Sequence, residues 1–160
     1  MTLNSTSETE EHRVLFVCSS GGHLSQLIQL EPWWRDHHRH WVTFDLPDAQ
    51  SKLAEESFTP AFHPTTRNLL NVARNYRLAR RVIAREQPDV VVSNGAAVAV
   101  PFFLEARRRK IPTVFLEVYD RVDSRTLTGR LVQPFTTSFL VQWPEQQKLY
   151  PGSHLIGPLY

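Results

Sequence analysis

Short unbroken apolar runs alternate with longer stretches in which apolar residues recur every three or four positions, and the alternation continues along nearly the whole chain. Val14-Leu15-Phe16-Val17 is apolar throughout, β-branched or aromatic in type and ended by a Ser/Gly cluster, which predicts a strand buried on both faces. Residues 41–44, 90–92, 113–116 and 138–142 repeat that signature, with brief strands expected at 61–63 and 155–156. Between them, Leu24, Leu27 and Ile28 mark a helix that Pro32 ends, and Pro47 opens a short helix through Leu53. A long helix is expected to reach Arg85, with Leu69, Val72, Tyr76, Ala79 and Ile83 on its apolar side. Residues 96–109 form the next helix, in which Pro101 implies a kink or a late start. Shorter helical turns follow at 126–132, closed by Pro134, and at Trp143-Pro144-Glu145. Strands that alternate with helices, without hairpin dipeptides, predict an α/β doubly wound fold with a mostly parallel sheet.

Such a sheet binds ligands beyond the carboxyl ends of its strands, near the point where strand order reverses. Three segments end strands there: Ser19, Ser20, Gly21, Gly22 and His23 after the first, Ser93, Asn94 and Gly95 after the fourth, and Glu117 to Arg121 after the fifth. They are expected to converge on one crevice, whereas Asp89 precedes its strand and lies at the opposite end. The glycine pair lets a ligand approach the backbone, and the first N–H groups of the following helix are unpaired donors suited to an anion. The same pair also serves as a plain tight turn, and the motif is neither the dinucleotide fingerprint nor the P-loop. His23, at a helix N-terminus, has its neutral form favoured and acts as base, donor or side-chain cap. Glu117 and Asp120 are bases or salt-bridge partners of Arg121 or Arg125, and Asn94 binds a sugar hydroxyl or closes a turn.

Composition narrows the class. The chain has 160 residues, 41% hydrophobic and 21% charged, which is enough for one core, so residues 13–160 form a single domain behind a polar, disordered tail at 1–12. A formal charge of +2 excludes a polycation of the nucleic-acid-binding kind. The single cysteine, Cys18, cannot form an internal disulfide and, without an apolar leader segment, fits a cytoplasmic setting as buried filler. No apolar stretch reaches the roughly 18–20 residues of a membrane span. His37, His38 and His40 are too close in sequence to converge on one metal and are expected in a solvated turn, so no metal site is predicted. Arg74, Arg77, Arg81 and Arg85 line the side of the long helix opposite its apolar positions, with no acidic partner before Glu86. That row is expected to touch anionic lipid, a diphosphate or an acidic protein partner.

Cys18-Ser-Ser-Gly-Gly-His-Leu24, Trp41-Val-Thr-Phe-Asp45, Ser93-Asn-Gly-Ala-Ala-Val-Ala-Val-Pro101, Glu117-Val-Tyr-Asp-Arg121, Thr126-Leu-Thr-Gly129 and Val141-Gln-Trp143 occur in that order. Together they resemble the PssD and CpsF type subunits of bacterial exopolysaccharide and capsule glycosyltransferases. They are also similar to the membrane-anchoring subunit of the two-part N-acetylglucosaminyltransferase of dolichol-linked glycan assembly and, more distantly, to the N-terminal half of MurG. The resemblance implies the Rossmann-like N-terminal half of a GT-B glycosyltransferase, an inverting enzyme that is inactive alone. It implies a PssE or CpsG type partner holding most of the UDP-sugar donor and a polyprenyl-diphosphate-linked acceptor. The end at Gly157-Pro158-Leu159-Tyr160, where a fused enzyme enters its second domain, fits that expectation. The eukaryotic member carries an N-terminal membrane helix where residues 1–12 are polar here, so attachment to the inner face of the cell membrane is expected to be peripheral, through the arginine helix or the apolar segment Ala96 to Leu104. No separate cofactor is implied. Within it, His23, Glu117 and Asp120 are candidate catalytic groups, and Ser19, Ser20, Gly21, Gly22, Asn94, Gly95 and Arg121 are candidate substrate contacts. Two other classes compete: a self-sufficient small nucleotide-binding enzyme, and a purely structural membrane anchor for the partner.

Overall fold

The computed structural model describes residues 10–159. Its elements are, in order, β1 (Arg13–Val17), α1 (Gly22–Ile28), α2 (Glu31–Trp34), β2 (His38–Thr43), α3 (Pro47–Lys52), β3 (Phe58–Pro60) and α4 (Leu69–Glu86). They continue with β4 (Val90–Ser93), α5 (Ala99–Arg108), β5 (Thr113–Leu116), α6 (Leu127–Val132), β6 (Ser138–Val141), α7 (Pro144–Leu149) and β7 (His154–Leu155). All seven strands are parallel, in the order β3-β2-β1-β4-β5-β6-β7. The order reverses between β1 and β4, so those two strands flank the switch point.

Period-two alternation sends the strand side chains into two cores. Leu15, Val17, Val91, Phe115 and Phe139 point towards α4, α5 and α6, and pack with Ala79, Ile83, Phe102, Phe103 and Val132. Val14, Phe16, Val92 and Leu116 point the other way, towards Leu24, Leu27, Trp34 and Ala49 of α1, α2 and α3. The tryptophan-rich stretch belongs to this second core: Trp41 stacks on Phe16 at 4.3 Å between centroids, and Trp34 meets Trp41 edge-on at 5.8 Å. Cys18 is buried there as expected, and burial pushes its thiol up to about 12.

Several boundaries differ from the sequence reading. Pro32 does not end the first helix but sits in the first turn of α2, where its missing N–H costs nothing. The strand read at 41–44 begins at His38, because Arg13 to Val17 pair with His38 to Val42 and draw the polar residues into the sheet. His40 is therefore buried in a strand and not in a solvated turn, its ring held by Ser57 Oγ and Thr59 Oγ1 at 2.8 Å each. The third strand likewise lies at Phe58–Pro60, earlier than 61–63, and the last begins one residue earlier than read. Pro101 accompanies a late start of α5 at Ala99. The buried side of α4 carries Asn71, Asn75, Ala79, Val82 and Ile83, while Leu69 is 85% exposed. Asn75 faces inward because its amide bonds both backbone groups of Phe62, donating to the carbonyl and accepting from the N–H at 2.9 Å each. Residues 1–9 of the expected tail lie outside the described residues, and Glu11 contacts His38 at 3.1 Å.

Candidate functional site

The turn after β1 and the turn after β4 stand side by side, because β1 and β4 are neighbours in the sheet. His23 Nδ1 lies 3.1 Å from the Asn94 carbonyl, and Asn94 Nδ2 donates to the His23 carbonyl at 2.7 Å. A carbonyl accepts only, so Nδ1 carries the proton and Nε2 keeps its lone pair. Burial pushes the imidazole below the ordinary histidine range, against the pull of the Asn94 hydrogen bonds and of Asp120 and Glu117. The ring is thus held neutral and basic at one nitrogen. Gly95 has φ +117°, and a Cβ there would stand 3.3 Å from His23 Cε1, so this turn needs glycine twice over.

A crevice of about 260 Å³ opens here, lined by His23, Asn94, Gly95, Ala96, Val118, Asp120, Arg121, Thr126 and Thr128. All three loops expected to converge contribute to it. Asp120 and Arg121 are exposed on its rim, and neither forms an ion pair within the described residues. Glu117 is placed differently. Its carboxylate is 0% exposed and accepts from Thr126 Oγ1 at 3.0 Å, from the Val118 N–H at 3.0 Å, and from the Tyr150 hydroxyl. It does not line the crevice but ties the first residue of the 117–126 loop to its last. Burial, and next the neighbouring carboxylate, push the Tyr150 phenol upward. Gly129 lies against this cluster, where a Cβ would meet Tyr150 Oη at 2.6 Å and Glu117 Oε2 at 2.8 Å.

The glycine turn is also partly committed. Gly21 donates its N–H to Asp48 Oδ2 at 2.6 Å, so a carboxylate of α3 takes the place an external anion would want at that group. Gly22 and His23 supply the first N–H groups of α1, which have no intrahelical acceptor. Ser25 Oγ donates to the Gly21 carbonyl at 3.1 Å and receives from Lys52 Nζ at 2.5 Å, which fixes the turn to α3. Ser19 and Ser20 are half-buried beside it.

Several positioning groups escaped the sequence reading. Gln146, fully buried, accepts from the Gln142 and Trp143 N–H groups and donates to the carbonyls of Val118 and Arg121 at 2.7 and 3.2 Å, clasping the rim loop. Trp143 Nε1 donates to the Tyr119 carbonyl at 2.6 Å. The polar Gln142-Trp143 pair at the end of a buried strand, and Pro47-Asp48 opening a helix after β2, are the signals that point to them. The arginine row of α4 divides. Arg85 pairs with Glu86 at 2.5 Å, and Arg74 donates to Asn71 Oδ1 at 3.1 Å while lying over the Phe62 ring. Arg77 and Arg81 have no ion pair among the described residues and instead join Arg80 and Arg109 around an open groove of about 530 Å³.

Residues 65–159 match the sequence profile of the family described as oligosaccharide biosynthesis protein Alg14 like. The chain belongs to the Alg14-like family. The matched span of this Alg14-like chain carries two of the crevice loops, with Asn94, Gly95, Glu117, Asp120 and Arg121, while the glycine turn lies N-terminal to it. The UDP-N-acetylglucosamine transferase subunit ALG14 of Mus musculus is 24% identical over 180 residues, which cover 92% of this chain and 83% of that protein. Its Yarrowia lipolytica counterpart is 31% identical over 153 residues, covering 91% and 67%. In fold, the chain superposes on Acinetobacter baumannii MurG with a TM-score of 0.71 at 16% identity, covering 84% of this chain and 42% of MurG. The Alg14-like chain thus has the Rossmann-like N-terminal domain of the GT-B architecture and spans about two fifths of that solved structure.

Proposed function

We propose that this chain is the acceptor-side subunit of a two-component, inverting glycosyltransferase of lipid-linked oligosaccharide assembly, of the PssD and CpsF type serving exopolysaccharide or capsule. A PssE or CpsG type partner supplies most of the UDP-sugar site and completes the crevice. The observation that carries this reading is a neutral imidazole whose Nδ1 is committed to Asn94, leaving Nε2 as acceptor at a crevice on the switch point. The relatives named as UDP-N-acetylglucosamine transferase subunits support the subunit role and the donor class.

In the proposed reaction, His23 Nε2 takes the proton of the acceptor hydroxyl as its oxygen attacks the anomeric carbon of the donor sugar. The bond to the nucleoside diphosphate breaks on the opposite face, so a single displacement inverts the configuration. Asp120 on the rim orients the acceptor and favours the imidazolium that forms. Arg121 and the N–H groups of Gly22 and His23 face the developing phosphate charge. No metal or separate cofactor takes part in this scheme. Among the described residues, no helix is long and apolar enough to cross a membrane. Contact with the inner face of the cell membrane is assigned to the outer side of α4, where exposed Leu69 and Leu70 lead into Arg77, Arg80 and Arg81.

Reconstituting the chain with its partner and assaying a panel of sugar nucleotides tests this directly. Transfer requiring both polypeptides, and abolished by His23→Ala, is expected. Full transfer by this chain alone, or tight nucleotide binding without a partner, would overturn it. If His23→Ala spares activity while Arg77→Glu with Arg81→Glu releases the complex from vesicles, the chain is an anchor only.

A further inference from the structure

The turn after β4 carries Asn94 and Gly95, candidate substrate contacts of which Asn94 also reads as a turn-closing residue, and both line the crevice. The hydrogen bonds of the Asn94 side chain point to a further role. Asn94 is 1% exposed, and its side-chain nitrogen is turned to His23 and Gln26. Its Nδ2 donates twice, to the His23 carbonyl at 2.7 Å and to Gln26 Oε1 at 3.3 Å, which also fixes which end of the amide is nitrogen. Its Oδ1 is enclosed and has no hydrogen-bond partner among the described residues. Leaving a buried carbonyl unpaired costs stability, so the nitrogen end of the amide is the one that makes the contacts here. Gln26 is itself buried, one turn along α1 from His23. Backbone and side chain of one residue therefore grip both the ring and the main chain of His23, across 71 positions of sequence.

We propose that Asn94 is the positioning residue of His23: with Gln26 as its support and Gly95 as the open floor under the ring, it keeps the proton on Nδ1 and aims Nε2 into the crevice. This rests on the role proposed above for His23, but its physical half does not. A free imidazole prefers the proton on Nε2, the tautomer in which that nitrogen is a donor and useless as a base. The Asn94 carbonyl reverses the preference, and the amide keeps that carbonyl in register with the ring. Other charged groups facing His23 cannot do this. Asp120 and Arg121 stand on the crevice rim, and Glu117 is buried in its own bonds to Thr126 and Tyr150. Asp48 is spent on the Gly21 N–H.

Long-range proton–nitrogen spectra of the histidine rings in the full chain at pH 8 test the physical half, with His23 assigned by its loss in His23→Gln. The wild type is expected to show His23 protonated at Nδ1, and Asn94→Ala to move it towards the Nε2 tautomer. In the reconstituted pair, Asn94→Ala is expected to lower kcat on the order of 10- to 100-fold, with the KM values for donor and acceptor nearly unchanged. Gln26→Ala moves both readouts in the same direction by less, and serves where Asn94→Ala folds poorly. A wild-type His23 protonated at Nε2 overturns the proposal without any variant. So does an Asn94→Ala chain that keeps its tautomer and kcat while KM rises, which would make Asn94 a substrate ligand. If the tautomer moves as expected but His23→Gln leaves transfer intact, the positioning stands and the base assignment alone fails.

Discussion

The two ends of the sheet teach different things about what makes a site. At the amino ends of β1 and β2 lies a polar cavity of about 420 Å³, lined by Arg13, His38, Arg39, His40, Ser57 and Glu86. It is larger than the 260 Å³ crevice at the carboxyl ends, and it is richer in charge. Yet its groups are spent on neighbouring side chains. Arg39 grips Glu56 through two bonds of 2.6 and 2.8 Å, Arg85 holds Glu86 at 2.5 Å, His38 meets Glu11 at 3.1 Å, and both His40 nitrogens are satisfied. In the crevice, Asp120 and Arg121 have no ion-pair partner within the described residues, and one nitrogen of His23 is left over. Unspent hydrogen-bonding capacity, and not volume or charge, separates a place that can do chemistry from one that holds the fold together.

The sharpest way to break this comparison is to exchange half-buried His23 and buried His40 in turn. In the reconstituted pair, His23→Gln is expected to cut kcat by about 10²- to 10⁴-fold, the usual worth of a positioned base, whereas His40→Gln leaves kcat unchanged. A kcat loss of similar size from His40→Gln would erase the distinction. Next in size is Gly129→Ala, whose Cβ would overlap Tyr150 Oη and Glu117 Oε2 beneath the rim loop. A loss of about 1–3 kcal/mol in denaturant unfolding is expected. A carboxylate on each end gives the matched pair. Glu56→Gln removes the negative charge and one of the two acceptor oxygens that Arg39 and the Trp41 indole use, and should cost about 1–2 kcal/mol of stability with kcat intact. Asp120→Asn is expected to do the reverse, lowering kcat while the unfolding midpoint stays put.

The smallest effect is in pH. Burial holds both His23 and His40 below the ordinary histidine value of 6.5. Just below that pH the unfolded chain binds protons that the folded chain refuses, so stability is intact above it and falls as the pH drops further. Transfer that needs neutral His23 stays level down through pH 6.5 and declines only in more acid solution. A rate already halved at pH 6.5 would mean that the imidazole is not buried as described.

Most of the architecture was legible because buried parallel strands announce themselves. The valine-rich runs at β1 and β4 and the runs at β5 and β6 are apolar enough to be read without context, and the Ser/Gly residues after them mark the turns of the crevice. What failed depends on partners distant in sequence. Nothing local marks His38-Arg39-His40 as strand, since its pairing with β1 and the hydroxyls of Ser57 and Thr59 decide the matter. Asn71 and Asn75 look like solvent positions until the backbone of Pro64 and Phe62 is found against their amides. The converging loops were legible for the same reason as the strands. Glu117 was not, because a carboxylate that ends a strand looks the same whether it faces a substrate or a tyrosine hydroxyl 33 positions further along the chain.

The strand order carries a last consequence. β1 cannot meet β4 until the chain has laid down β2, β3 and the 18-residue α4 and folded that helix back across the sheet. His23 and Asn94 are therefore 71 positions apart in the chain, and become neighbours only when the large loop between them closes. A half-made or misfolded chain cannot hold the His23–Asn94 contact, so under the role proposed for His23 turnover is also expected to count the molecules that finished folding.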